Sequence, residues 1–182
     1  MRVKLIVFSL LLAALSFVQA DENKAGLEFS LPKLVEGFYF ENKRQYGDPR
    51  LGYGLNYRNR DGIFITVIVY DLGISGIMNG TEGPYVTAQH RRAQQDVGLG
   101  VEKGVYKSVT PLPNTVGFSS SFLNASYDIV RSDGATKRSH LFVRGQNNKF
   151  IKVRATGPAT YTIDQKVSDF IDELLVHLTR KE

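Results

Sequence analysis

The stretch IFITVIVYDLG, residues 63–73, restricts the possible folds most strongly. In an extended chain Ile63, Ile65, Val67 and Val69 point to one side. Phe64, Ile68 and Tyr70 point to the other, with Thr66 the polar interruption. Side chains alternate across a strand, so both faces of this strand are apolar. Such a strand belongs inside a sheet that is covered on both sides. The rest of the chain has to supply the neighbouring strands and the covers.

Strand patterns lie on both flanks. GFYFENKR reads as a strand, followed by a turn at Tyr46-Gly47-Asp48-Pro49. Leu51, Tyr53, Leu55 and Tyr57 then alternate with Gly52, Gly54, Asn56 and Arg58 at period two. Asp61-Gly62 turns into the apolar strand. After the glycine-rich GISGIMNGTEG, Pro84 opens a helix with a thin stripe of Val86, Ala93 and Val97. VYKSVT, VGFSSSFLNASYDIV, TKRSHLFVRG and KFIKVRAT form a meander, with Asp133-Gly134 as one hairpin signal and Gly157-Pro158 as its end. A last helix follows. Thr162 and Gln165 have capping-box spacing, and Val167, Phe170, Ile171, Leu174, Leu175 and Leu178 recur at helical intervals. The order β-β-β-α-β-β-β-β-α predicts an α+β fold, an α/β/α sandwich with a central, mainly antiparallel sheet and helices on its faces.

The amino terminus speaks to compartment. Arg2 and Lys4 precede an apolar run from Leu5 to Val18, and Val18-Gln19-Ala20 supplies a cleavage site. This is the pattern of a secretory signal over 1–20, too short to span a bilayer as an anchor. The mature chain, 21–182, is one domain of ordinary size. It has no cysteine. Small extracellular eukaryotic domains lean on disulfides, so the expected compartment is a bacterial periplasm, reached by cleavage near Ala20. On that route the sequons at Asn79 and Asn124 are coincidental. Loss of Arg2 and Lys4 lowers the net charge from +5 to +3, which is too small to predict nucleic-acid binding.

The catalytic inventory is thin. His90, His140 and His177 lie far apart and share no metal-ligand spacing, so no metal or cofactor is expected. GFSSS at 117–121 lacks the second glycine of a nucleophile elbow, since Ser121 stands there. GISGIMNG precedes a helix but carries neither phosphate-loop pattern, and reads as a connection. His90-Arg91-Arg92 reads as a solvated helix face.

One hairpin remains, SHLFVRGQNNKFIKVRAT at 139–156. A two-residue loop, Asn147-Asn148, sets Gly145 opposite Phe150 and Arg144 opposite Ile151, and mixes both faces. A three-residue loop sets Arg144 opposite Lys152. It gathers Leu141, Val143, Ile151, Val153 and Ala155 on one side, and His140, Phe142, Arg144, Phe150, Lys152 and Arg154 on the other. Burial favours the segregated register. The expected result is a basic stripe of Arg138, Arg144, Lys152 and Arg154, solvated or paired with Asp169, Asp172 and Glu173 of the last helix. It is also the candidate surface for an anion or a partner.

ITVIVYDLGISGIMNG, the helix after it, GVYKSV and HLFVRGQNNKFIKVRATGP together resemble a group of uncharacterised secreted proteobacterial proteins. From about residue 50 to 178 the element order is similar to the PsbP-like fold. That resemblance implies the same α/β/α sandwich and a non-catalytic accessory or binding role, and it carries no functional residue across. The expected function is therefore a soluble periplasmic accessory or binding protein, whose partner is an envelope protein or a small anionic ligand. The alternatives are a hydrolase without a recognisable motif, or a binder of anionic lipid or glycan surfaces through the basic hairpin.

Overall fold

The computed structural model describes residues 31–113 and 118–180. The leader assigned to 1–20 lies outside them, as does Gly117 of GFSSS. The described residues form β1 (Leu34–Val35), β2 (Phe38–Gln45), β3 (Tyr53–Arg58), β4 (Phe64–Tyr70), α1 (Pro84–Glu102), β5 (Tyr106–Leu112), β6 (Leu123–Arg131), β7 (Thr136–Gln146), β8 (Lys149–Pro158) and α2 (Tyr161–Thr179). A short 3-10 turn, Pro49–Leu51, links β2 to β3. The strands make one antiparallel sheet in the order β1-β2-β3-β4-β8-β7-β6-β5. Two meanders, β1–β4 and β5–β8, are joined edge to edge by β4 and β8.

The doubly apolar strand β4 sits at that join, as its pattern requires. Ile65, Val67 and Val69 pack with Phe38, Tyr57, Ile151 and Val153 and with Val167, Phe170 and Ile171 of α2. On its other side Tyr70 and Ile68 meet Phe150 and Ile77, with Leu72 and Ile74 against them. Loop residues 71–83, rather than a helix, thus supply much of the second cover.

The expected α/β/α sandwich with helices layered on its faces does not form. Of the described residues 42% are strand and 28% helical, and only two α-helices are present among them. Eight strands about 4.8 Å apart make a sheet about 34 Å wide, while one helix covers a band of about 10 Å. Helix α1 lies over β5, β6 and β7, and α2 over β1 and β8. Each shields part of the sheet, and neither builds a layer.

Two local expectations also change. Helix α2 begins at Tyr161 with Thr160 at its N-cap, and Thr160 makes no side-chain cap bond. Thr162 therefore lies inside the first turn, so its capping box with Gln165 does not form. Gln165 Nε2 donates to Asp169 Oδ1 at 2.8 Å instead.

The β7–β8 hairpin takes the mixed register: Arg144 pairs with Ile151, Gly145 with Phe150 and Gln146 with Lys149. Asn147 and Asn148 form a two-residue turn with φ of 49° and 59°, the left-handed values such a turn demands. Segregation was expected because one side was taken to be wet. Both sides are in fact covered, so burial does not select between the registers. The turn is instead tied to loop 71–83. Asn148 Oδ1 accepts from the amides of Gly76 and Ile77, Asn79 Oδ1 accepts from the Asn147 amide, and Gly80 and Gly145 exchange backbone bonds. A Cβ at Gly145 would stand 1.9 Å from the Met78 carbonyl oxygen, so this close approach requires glycine.

Candidate functional site

The mixed register divides the four basic residues of the expected stripe. Arg138 and Arg144 share the α2 side of the sheet with His140 and Phe142. Lys152 and Arg154 share the α1 side with Leu141 and Val143. Arg144 never opposes Lys152, and the single stripe is not formed.

Arg138 is fully engaged. Its Nε lies 3.0 Å from Asp128 Oδ1, and its Nη1 lies 3.2 Å from Asp164 Oδ2. The last helix does provide a carboxylate, but at Asp164 in its first turn rather than at Asp169, Asp172 or Glu173. Arg144 is 6% exposed. Its guanidinium lies over the Phe122 ring at 5.3 Å and donates from Nη2 to Gln146 Oε1 at 3.0 Å. It has no carboxylate partner among the described residues, and burial pushes its pKa down.

Beside Arg138 lies a buried chain of polar groups that sequence spacing did not reveal. Ser126 Oγ stands 2.8 Å from His140 Nδ1, and His140 Nε2 stands 3.0 Å from Asp164 Oδ1. The latter approach is at contact distance but off the hydrogen-bond line. The Phe118 ring meets the imidazole edge-on at 5.0 Å. Burial pushes the His140 pKa down; Asp164 opposes that shift and Arg138 reinforces it. Burial therefore favours the neutral imidazole, and its Nδ1 shares a hydrogen bond with the Ser126 hydroxyl. Serine, histidine and aspartate are the parts of a nucleophilic triad. Here Ser126 is 2% exposed and His140 is 0% exposed, so an acyl substrate has no approach to Oγ. The arrangement fastens β6, β7 and α2 together.

The α1 side offers a different geometry. A groove of about 320 Å³ is lined by Tyr46 and Leu51, by Ile68, Tyr70 and Leu72, by Gln89, Arg92 and Asp96 of α1, and by Lys152 of β8. That volume lies at the small end of ligand sites. Gln89, Arg92 and Asp96 are spaced three and four residues apart, which puts them on one helix face. That spacing is the sequence signal for the site; of the three, only Arg92 was considered, within His90-Arg91-Arg92, and it was read as part of a solvated helix face. Gln89 Nε2 donates to the Tyr70 hydroxyl at 2.7 Å, leaving the phenolic proton available to a further acceptor. Burial raises the Tyr70 pKa far above neutrality, so the phenol stays a donor.

Lys152 is the charged centre of this groove. Its ammonium lies over the Tyr70 ring at 5.6 Å and has no carboxylate at ion-pair distance among the described residues. Burial lowers its pKa; Asp96 opposes that shift, while Arg154 and Arg92 add to it. Arg154, two residues along the same side, is held by Ser139, its Nε donating to Oγ at 2.6 Å. Three cations thus converge near one carboxylate. An oxyanion entering here would meet Lys152, Arg92 and the Tyr70 hydroxyl, with an apolar floor of Ile68, Leu51 and Leu72.

A second groove of about 470 Å³ is lined by Glu36, Gly37, Tyr39, Asn59, Arg60, Asp61, Lys166 and Asp169. Its charges are of both signs, and Lys166 pairs directly with Asp61. Of the other histidines, His90 contacts Gln94 and His177 contacts Glu173. In the GISGIMNG loop the amides of Gly76 and Ile77 go to Asn148, that of Gly80 to Gly145, and those of Gly73 and Ile74 to Asp71. Among the described residues no three histidines or acids are grouped to hold a metal, and no helix is long and apolar enough to cross a membrane. No family model, curated protein or solved structure matches the chain.

Proposed function

We propose that the protein is a non-catalytic binding protein that takes a small ligand into the groove between α1, β4 and β8. The observation that carries this reading is Lys152, a cation drawn into a ligand-sized groove with no carboxylate partner among the described residues. Arg138 is paired with Asp128 and Asp164 and Lys149 with Asp71, while Arg144 and Arg154, which also lack a carboxylate among the described residues, do not line the groove. The leader pattern at 1–20 supports a periplasmic setting, and the PsbP-like resemblance accords with an accessory role there. The hydrolase alternative is not favoured, because Ser126 and His140 are closed off. Surface binding through a basic hairpin is not favoured either, because the four cations face two ways.

The test is an NMR-detected screen of small fragments against the isotope-labelled protein. Hits are expected to shift the amides of Tyr70, Leu72, Gln89 and Lys152 as one group. They are expected to be lost when Leu51→Trp fills the groove. Hits that scatter over the surface, or that survive Leu51→Trp unchanged, would overturn the proposal.

A further inference from the structure

We infer that the ligand of this groove is an amphipathic monoanion, an apolar chain or ring carrying one oxyanion head. The inference rests on the groove being the binding site, and it adds the chemistry of what enters.

Charge sets the head. Arg92 and Lys152 line the groove with a single acid, Asp96, which leaves one net positive charge on its walls. Arg154 stands just beyond and already spends its Nε on Ser139. A cationic ligand would displace nothing and would bring a like charge next to Lys152. A neutral one would leave that ammonium desolvated and unpaired, at a cost to binding. A singly charged oxyanion completes the set. Lys152 supplies a charge-assisted bond, which is stronger than a neutral one. Tyr70 supplies a second donor, because Gln89 occupies its oxygen and leaves its proton free. A multiply charged head, such as a phosphate ester, would face Asp96 with too few cations.

The walls set the body. Beside the charged groups the lining is Ile68, the cross-strand partner of Lys152, with Leu51, Leu72 and the ring of Tyr46. These groups offer no charge and mostly no hydrogen bond, and they reward an apolar surface by roughly 25 cal/mol per Å² removed from water. Head and body are therefore met by different residues of one small groove.

The test compares octanoate, 1-octanol and octylammonium, each titrated into the protein and followed by NMR at the groove amides. Octanoate is expected to bind about tenfold or more tightly than octanol, the size of a charge-assisted bond, and octylammonium not at all. Lys152→Met is expected to bring octanoate down to the level of octanol without lowering the melting temperature, because Lys152 has no carboxylate partner among the described residues and methionine keeps the apolar stem. Arg92→Glu, an exposed change that cannot unfold the core, is expected to weaken octanoate and admit octylammonium. If octanol binds as tightly as octanoate, the oxyanion inference falls while the groove remains a ligand site. If octanoate binds well and Lys152→Met leaves it unchanged, the head is held elsewhere and the inference also falls. If none of the three shifts the groove while unrelated fragments do, the amphipathic anion is the wrong class. If nothing shifts it, the binding proposal falls as well.

Discussion

Asp164 Oδ1 stands 3.0 Å from His140 Nε2, so the first turn of α2 is docked against a fully buried imidazole. The groups facing that ring are Ser126 from β6, Asp164 from α2, Arg138 on β7 itself and Asp128 from β6. Burial depresses the folded pKa of His140 below its ordinary value of 6.5. Below that value the unfolded chain binds the proton more readily than the folded one, so stability falls as pH falls. The contribution is complete above about pH 6.5, and it is lost downward toward the folded pKa. Each unit of depression is worth about 1.4 kcal/mol. Urea denaturation at pH 7.5, 6 and 5 should show falling midpoints. His140→Asn, less stable at pH 7.5 by about 1–3 kcal/mol, should flatten that dependence. An undiminished slope in the variant would place the sensitivity elsewhere, with partly buried His90 the first suspect.

Arg138 bears on the same titration. Removing its guanidinium leaves Asp128 and Asp164 without their shared cation and removes a positive charge that disfavours a protonated His140. Arg138→Met should cost about 1–3 kcal/mol at pH 7. It should also raise the His140 pKa, measurable by NMR titration of the imidazole carbon-bound protons. An unmoved pKa would show that the two groups are not electrostatically coupled.

Arg144 should behave oppositely, although both arginines were expected in one stripe. Its guanidinium is buried without a carboxylate, so part of what it gains from Gln146 and the Phe122 ring is spent on desolvation. Replacing such a cation by an apolar group of similar length is often neutral or stabilising. Arg144→Met should change the unfolding free energy by less than about 1 kcal/mol, in either direction. A loss as large as that of Arg138→Met would mean that Arg144 is held by something stronger than Gln146.

Two glycine-to-alanine changes should differ in sign. Gly145→Ala drives a Cβ into the Met78 carbonyl and breaks the paired bonds to Gly80. A loss of about 3 kcal/mol is expected, with faster amide exchange at Gly80. Gly98, within α1, has open space where its Cβ would stand. Gly98→Ala should stabilise by about 0.5–1 kcal/mol, because alanine favours the helix. Equal effects in thermal denaturation would count against the tie between loop 71–83 and the hairpin.

The strands and both helices were legible from periodicity and turn residues. The buried role of β4 was legible from its two apolar faces. The hairpin register was not, because one apolar side was assumed where both are covered and because Asn147 and Asn148 are fixed by partners some 70 residues earlier. The two-residue β1 escaped notice because it holds only Leu34 and Val35. Lys152 was singled out, but its neighbours were not: Arg92 and Tyr70 come from other elements, and only folding brings them near. Ser126, His140 and Asp164 likewise sit on three elements with no common spacing, so only the β6–β7 pairing and the docking of α2 bring them together.

The sheet order carries a kinetic consequence. Every neighbouring pair of strands but one is adjacent in sequence; the exception is β4 with β8, where Phe64 pairs with Thr156. Hairpins within each meander close short loops and can form early and independently. Zipping β4 to β8 must gather the ends of a far longer loop, and contacts of that separation slow folding. The central seam is therefore the step at which two half-sheets become one molecule. Weakening it, as by Val67→Ala, should retard refolding in a chevron experiment. Equivalent losses in the outer strands should mainly hasten unfolding.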